Sequence, residues 1–424
     1  MSNSQESFKK IIPTFGINFI FRIFGLGTAF LVTFLITRLF GVSTFGNYSL
    51  VFTIAQATSI IFTLGIPNTQ IKIIGNNNYD YIKAKKLLLV GIKLALFFSI
   101  FPMLVFYFGS DFIAEKIFKN EELKVYLTTV TFLLPFFVLH EILIYFFIAT
   151  KNFKKYNLFM FVVPNVLFIA LLCIFYFFEK SGEYSFIAFA LSIFLTVFIE
   201  AIIIFELKPN KEASTYTPRQ LIKIASPLMF SGFLVYMINW TDIIMLGLMV
   251  DEKQVGIYNI AYKIGTIGFL VIVTISTIIT PKIASLYGEN KMGELKKLVH
   301  NSTRLIAALS FPIVVVLIIM NQFILSFFGQ EALAGGMTMI IVSLGVLFNA
   351  VTGNVDQVLN MTNNQGILRN IIAVCFFVNV ILNFILIPQY GIEGAAYSSL
   401  ITNILINILS LYYMKKRLGF YTLF

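Results

Sequence analysis

The chain has 424 residues, of which 58% are hydrophobic and only 12% are charged, and its mean hydropathy is +0.88. A soluble domain has about twice that share of charged residues, so the composition excludes a soluble enzyme or binding domain. The net charge of +11 would point to nucleic acid in a soluble protein. In a membrane protein, basic residues instead collect in cytoplasmic loops, and we expect no nucleic-acid partner.

Many apolar runs are long enough to cross a bilayer, which takes about 20 residues in a helix. The runs are continuously apolar rather than alternating, so they predict helices and not a barrel. We predict an all-α polytopic membrane protein with about twelve transmembrane helices. The predicted spans are 12–39, 47–70, 87–109, 123–149, 157–178, 184–206, 219–248, 255–281, 303–328, 335–361, 369–388 and 391–414.

The basic residues predict the orientation. Most of the 31 Lys and Arg residues fall in loops on the side of the N-terminus when these spans are counted from Lys9 and Lys10. By the positive-inside rule, both termini are then cytoplasmic, in the inner or plasma membrane. The first apolar run is too long for a signal-peptide core, so we predict no cleaved signal. Cys173 and Cys375 lie inside apolar runs and indicate neither a disulfide framework nor a metal site.

The second half of the chain repeats features of the first. The matches are Gly46-x-Tyr48 with Gly256-x-Tyr258 and Phe101-Pro102 with Phe311-Pro312, each 210 residues apart. Matches in order at a nearly constant offset indicate an internal repeat. The polar segment 207–218 is the predicted linker, and the predicted domains are two pseudo-symmetric six-helix bundles, residues 1–208 and 209–424. An even number of spans makes the repeat parallel, and such transporters place the substrate path at the repeat interface.

Three motifs carry a resemblance to a known family. They are Arg38-Leu-x-Gly41-x-x-x-Phe-Gly46-x-Tyr48, Asp242-x-x-x-Leu-Gly247 and Pro388-x-x-Gly391-Ile-x-Gly394-Ala-Ala396. With twelve spans in parallel halves, the chain resembles the Wzx-type polysaccharide transporters of the multidrug/oligosaccharidyl-lipid/polysaccharide exporter superfamily. The resemblance implies a V-shaped pair of bundles around a central cavity. The two extra helices usual in peptidoglycan-precursor flippases of this superfamily are not predicted here.

The resemblance also implies a function. Proteins of this type move a polyprenyl-diphosphate-linked oligosaccharide from the cytoplasmic to the outer leaflet, as in O-antigen assembly. The implied partners are the bilayer, the lipid-linked oligosaccharide, and polysaccharide polymerase and glycosyltransferases. We expect no cofactor, with H⁺ or Na⁺ as a coupling ion.

Charges at membrane depth are costly and usually face a cavity or a partner. Arg22 in span 1 and Lys263 in span 8 are candidates for binding the diphosphate, because basic side chains pair well with phosphate. Arg22 has the alternative of pairing with an acid such as Glu141 or Asp356. Lys93 in span 3 is a further candidate for the diphosphate, with the alternative of reaching the interface with its long side chain. Arg38 ends span 1 and either contacts the sugar or headgroups or caps the helix.

Three acids are candidates for ion coupling or gating: Asp242, Glu141 and Asp356. Asp242 either exchanges a proton or Na⁺ during the cycle or forms a permanent ion pair with Lys263. Asp356 lies near the inner end of span 10. The alternative to a coupling or gating role is that its carboxylate is simply exposed to water there. His140 and Glu141 are adjacent, so they point about 100° apart and do not share one site. Glu200 is expected at the interface.

Two other functions compete with flipping. A multidrug or organic-cation exporter of the same superfamily should have an acidic cavity, whereas a lipid-diphosphate flippase should have a cationic one. A membrane glycan-processing enzyme is disfavoured, because the outer loops are short and neither an Asp-x-Asp pair nor a P-loop is present. We predict no catalytic and no metal-binding residue.

Overall fold

The computed structural model describes the backbone of residues 2–76, 81–178, 180–205 and 217–422. Side chains are described in these ranges from residue 20 onward, except at positions 75, 76, 82, 227 and 231. Within this part of the chain, twelve helices are long and apolar enough to cross a membrane. The prediction of an all-α protein with twelve spans is therefore confirmed.

The chain folds as two compact units, Met1–Phe233 and Leu234–Phe424. The boundary between them lies inside one long helix. The predicted boundary between residues 208 and 209, and most of the predicted linker, fall in 206–216, outside the described residues. That division into domains stays a prediction.

The N-terminal unit consists of eight helices and the first half of a ninth. They are α1 (Ser2–Phe40), α2 (Val42–Phe62), α3 (Ile66–Asn76), α4 (Tyr81–Phe112), α5 (Leu123–Ala149), α6 (Phe153–Asn157), α7 (Val163–Phe178), α8 (Tyr184–Phe205) and α9 (Pro218–Met249). A π-helical turn, Ile113–Ile117, extends α4, and another, Leu158–Val162, joins α6 to α7.

The C-terminal unit contains the second half of α9 and eight further helices. They are α10 (Glu252–Gly265), α11 (Phe269–Gly288), α12 (Met292–Ile319), α13 (Asn321–Ser326), α14 (Gly336–Thr352), α15 (Val355–Met361), α16 (Gln365–Tyr390) and α17 (Ile392–Leu418). Two 3₁₀ turns, Thr266–Gly268 and Gln330–Gly335, precede α11 and α14.

Local sequence explains where these helices begin and end. A helix satisfies its backbone polar groups internally, which is why lipid-embedded runs fold this way. At the ends of a helix, side chains bond to the backbone groups that have no partner within the helix. Asp251 accepts a hydrogen bond from the backbone N–H of Gln254 at 2.8 Å and caps the start of α10. The predicted span 335–361 is wrong in one respect, because Gly353, at φ 75°, separates α14 from α15. Asp356 therefore lies in the short helix α15 and not at the end of a membrane span.

Aromatic rings form much of the N-terminal core. Tyr48 on α2 stacks on Phe168 of α7 with ring centroids 5.8 Å apart. Phe52 meets Phe189 of α8 edge-to-face at 5.4 Å. Such pairs add about 0.5–1.5 kcal/mol each to the free energy gained by burial. The repeat residue Tyr48 is thus part of the packing core.

Aliphatic side chains form the C-terminal core, and one hairpin positions its polar residues. Gly391, at φ 57°, turns the chain from α16 into α17. Gly394 then lies against the backbone carbonyl of Leu386, so closely that a Cβ atom would overlap it. This close approach sets the register of α17 against α16, and it gives a physical reason for the glycines in the third sequence motif.

We expect Gly394→Ala to lower the apparent unfolding temperature of the purified protein in detergent. The added Cβ must displace backbone rather than a flexible side chain, which typically costs about 1–3 kcal/mol. Gly366→Ala on α16 is the matched control, because a Cβ there meets nothing within 4 Å. Equal unfolding temperatures for the two variants would contradict this account of the hairpin.

Candidate functional site

The most elaborate polar site is built around Asp242 in the C-terminal unit. The residue lies on α9 and is 3% exposed. Tyr258 of α10 donates its hydroxyl to Oδ2 of Asp242 at 2.7 Å, and Asn383 of α16 donates Nδ2 to Oδ1 at 2.7 Å. Ser399 of α17 also donates its hydroxyl to Oδ2. Four helices thus converge on one carboxylate.

A second layer orients these donors. The Nδ2 of Asn383 also donates to Oδ1 of Asn379, one turn earlier on α16, at 3.1 Å. Asn379 in turn donates to the hydroxyl of Thr402 on α17 at 3.5 Å. Asn379 and Asn383 are four residues apart, which places them on the same face of α16. The arrangement holds the carboxylate with neutral dipoles only.

The alternative of an ion pair between Asp242 and Lys263 is wrong for this structure. The ion pairs of the described residues do not include it. Lys263 lies half-buried in the last turn of α10. A carboxylate held by hydroxyl and amide donors can exchange a proton or a small cation with less rearrangement than one locked to a lysine. The geometry is therefore suited to a titrating or ion-binding role.

A cavity of about 400 Å³ adjoins this carboxylate site. Ser399 and Asn379 line the cavity and also belong to the hydrogen-bond network around Asp242. Its wall combines polar and aromatic side chains with aliphatic ones such as Ile238, Val342 and Leu400. The lining residues include Asn239, Trp240, Tyr262, Thr266, Asn349, Thr402 and Asn403.

The N-terminal unit holds a different buried pair. His140 Nδ1 of α5 lies 3.1 Å from Oε1 of Glu200 on α8, and the two side chains are 7% and 0% exposed. The expectation that Glu200 lies at the interface is wrong, since its carboxylate is enclosed with the imidazole. Glu141 points elsewhere and accepts a hydrogen bond from Gln56 Nε2 of α2 at 3.0 Å. The two neighbours therefore face different helices.

The remaining candidates lie at accessible positions. Arg22 on α1, Lys93 on α4 and Asp356 on α15 are exposed, and so is Arg38 in the last turn of α1. The alternative ion pair of Arg22 with Glu141 is not among those of the described residues. The roles assigned to these four residues, and to Lys263, stay predictions.

Sequence reasoning singled out Asp242 but not its donors. The sequence pattern marked Tyr258 only as a residue of the predicted repeat, and it indicated no role for Asn383 or Ser399. The available signal was the pair Asn379 and Asn383 at helical spacing within an apolar span. No three His, Cys, Asp or Glu residues in the described ranges come together as a metal site.

Two family models match the chain. The one described as polysaccharide biosynthesis protein matches residues 11–287, and the one described as MatE matches residues 227–385. Among curated relatives, the probable flippase AglR of Haloferax volcanii is 29% identical over 181 residues, which cover 42% of this chain and 38% of that protein. The capsular polysaccharide biosynthesis protein CapF of Staphylococcus aureus is 26% identical over 201 residues, covering 47% and 50%. The matched region thus spans half or less of these relatives.

Solved structures confirm the fold. An inward-facing multidrug resistance MATE family transporter of the MOP superfamily superposes with a TM-score of 0.80 at 14% identity, over 93% of this chain and 94% of that one. The lipid II flippase MurJ in an inward closed conformation superposes with a TM-score of 0.77 at 16% identity, over 95% and 87%. At such low identity, the likeness describes architecture alone.

We expect Glu200→Ala to lower the stability of the protein by about 3–5 kcal/mol, the usual cost of removing one partner from a buried pair. The double variant His140→Leu/Glu200→Leu should recover most of the loss, because two apolar side chains leave no buried polar group unpaired. Thermal unfolding in detergent measures both. A double variant as unstable as Glu200→Ala would contradict a mainly structural role for the pair.

Proposed function

Because the chain belongs to the polysaccharide biosynthesis protein family, we propose that it flips a polyprenyl-diphosphate-linked oligosaccharide from the cytoplasmic to the outer leaflet for surface polysaccharide assembly. The observation that carries the proposal is the family match over residues 11–287 of a twelve-span membrane protein. Curated relatives named as flippases support it. In this proposal the protein is a transporter and not an enzyme, with both termini cytoplasmic in the inner or plasma membrane.

The basic residues at membrane depth supply the diphosphate contacts in this proposal. Arg22 and Lys263 are the first candidates, and Lys93 and Arg38 the next. A guanidinium offers a planar fork of donors that matches two phosphate oxygens, and an ammonium offers a compact charge. The polymerase and glycosyltransferases that would use or supply the substrate are proposed partners.

Asp242 is the proposed coupling residue, with H⁺ or Na⁺ as its ion. Its carboxylate is buried, is held by three neutral donors and adjoins a cavity. Binding of a cation or proton there changes the charge of the C-terminal unit by one. Such a change can favour one conformation over another in an alternating-access cycle. Glu141 and Asp356 are further candidates for gating.

A second function is favoured by one observation. The cavity beside Asp242 is walled partly by Trp240 and Tyr262. An acid beside aromatic rings is suited to an organic cation, because the ring faces attract positive charge. An ion-coupled exporter of organic cations is therefore the competing proposal.

We expect Arg22→Ala and Lys263→Ala each to slow movement of the lipid-linked oligosaccharide in proteoliposomes about tenfold or more. Losing a charge-assisted hydrogen bond costs about 1.5–3 kcal/mol, and 1.4 kcal/mol corresponds to a factor of ten. Transport is followed by the access of an added glycosidase to substrate in the outer leaflet. Lys253→Ala is the control, since Lys253 forms an exposed ion pair with Glu331. Unchanged rates in both test variants would refute the diphosphate role.

The same proteoliposomes separate the two functions. Movement of a cationic dye is measured in parallel. The flippase proposal predicts that the lipid-linked oligosaccharide appears in the outer leaflet only when the protein is present, and that the dye does not move. Dye movement driven by an ion gradient, without lipid translocation, would establish the exporter instead.

Asp242→Asn should abolish the dependence of transport on an imposed H⁺ or Na⁺ gradient, and it should lower the unfolding temperature, because the amide Nδ2 replaces an oxygen that accepts hydrogen bonds. The amide keeps the shape of the carboxylate but neither titrates nor attracts a cation. Asp251→Asn is the control, because Asn caps a helix as well as Asp does. If Asp242→Asn retained full gradient dependence, the coupling role would be assigned wrongly.

A further inference from the structure

One face of α17 is polar over about half of the thickness of a hydrocarbon core. Its residues are spaced three or four apart and so lie on one side of the helix. We name this set the α17 polar face: Ser399, Thr402, Asn403, Asn407 and Ser410. From Ser399 to Ser410 the helix rises about 16 Å, roughly half the thickness of a hydrocarbon core.

Hydrogen bonds connect this face to both ends of the unit. At one end Ser399 donates to Asp242. In the middle, Nδ2 of Asn407 donates to the Oδ1 of Asn403 at 3.0 Å, and Thr352 at the end of α14 donates its hydroxyl to the Oδ1 of Asn407 at 2.8 Å. At the far end, Thr422 of the C-terminal segment donates to the carbonyl of Thr352 at 2.5 Å.

Unpaired polar atoms occur along the same line. Three buried atoms here have no hydrogen-bond partner among the described residues: Oδ1 of Asn383, Oγ of Ser410 and Nδ2 of Asn354. Their residues are 0%, 2% and 2% exposed. Buried polar groups are normally satisfied, by ordered water where protein groups are absent. Each of the three atoms is therefore a place where water can bind, and the oxygens of Asn383 and Ser410 can also bind a cation.

The cavity supplies a reservoir at the Asp242 end. Its volume of about 400 Å³ has room for roughly a dozen waters at about 30 Å³ each. Asn403 and Thr402 line it, whereas Asn407 and Ser410 do not. The polar face thus continues past the cavity toward the end of the bundle where α14 meets α15.

We infer that the α17 polar face is a hydrated path that carries the coupling ion between Asp242 and the end of the C-terminal unit formed by α15 and the C-terminal segment. The ion is a small monovalent cation or a proton passed along water. The inference rests on the proposed role of Asp242 and adds the route by which its ion arrives. At the outer end of the route, Asp356 is exposed two residues after Asn354 and can attract cations.

The C-terminal segment covers the end of this path. His300 Nε2 of α12 lies 2.9 Å from the carbonyl oxygen of Tyr421, and Phe420 is buried in the aliphatic core. These contacts hold Thr422 over Thr352. The competing explanation is a dry row of interhelical hydrogen bonds that only holds α14 against α17.

Single cysteines tested with Ag⁺, a small thiol-binding cation, distinguish a wet path from a dry row. The full-length protein carrying Cys173→Ala and Cys375→Ala, with Ser410→Cys or Asn407→Cys added, is reconstituted and exposed to Ag⁺. Thiols that remain are then counted with a fluorescent maleimide after unfolding. Ser399→Cys reports the cavity. Ile401→Cys and Ile408→Cys are the controls, because both positions lie on the same helix outside the α17 polar face and are 43% and 51% exposed.

The path predicts that Ag⁺ protects the thiols at 399, 407 and 410 from the maleimide and leaves those at 401 and 408 open to it. Protection at 399 without protection at 407 and 410 would overturn the path, because the wet region would then end at the cavity. Ser410→Cys changes one atom, so a folding defect does not decide the outcome. The assay measures access and not transport. If the flippase proposal were wrong, the result of the access assay would still hold. If the path were absent, the flippase proposal would be unaffected.

Discussion

The C-terminal unit depends on meeting the cost of burying one carboxylate inside a lipid-embedded bundle. Asp242 meets that cost with hydrogen bonds from three separate helices, α10, α16 and α17. Each donor has its own structural support. The Asp251 cap begins the helix that carries Tyr258, and the close approach at Gly394 sets α17 against α16. An acid buried at this depth is costly, and such residues commonly mark functional sites in membrane proteins.

The predicted repeat pairs positions of the two halves whose chemistry differs. Tyr48 and Tyr258 are equivalent by the 210-residue offset, yet Tyr48 stacks among phenylalanines and Tyr258 donates to Asp242. The position equivalent to Asp242 in the first half is Val32, a buried apolar residue. The N-terminal unit places its buried charge on other helices, as the pair His140 and Glu200. Positions paired by the predicted repeat therefore differ in polarity, and each unit has its own buried polar site.

Much of the fold was predictable because hydropathy and length are properties of each segment alone. Twelve spans follow from the cost of exposing backbone to lipid, and Asp242 stands out as an acid in an apolar run. The donors around it were not predictable in this way. Asn383 and Ser399 lie 141 and 157 residues away along the chain, and only the packing of four helices brings them together. Glu200 was misplaced for the same reason: its position near the end of a span was visible, but its partner His140, 60 residues away, was not.

The account is tested most directly by infrared difference spectra of the purified protein, recorded on a pH step and on addition of Na⁺, for the native chain and for Asp242→Asn. A carboxyl group that gains a proton or a cation shifts its C–O stretching bands. We predict that one or both steps produce such bands in the native protein and that they vanish in Asp242→Asn. Identical spectra from the two proteins under both conditions would contradict the claim that Asp242 is the ion-responsive group of this protein.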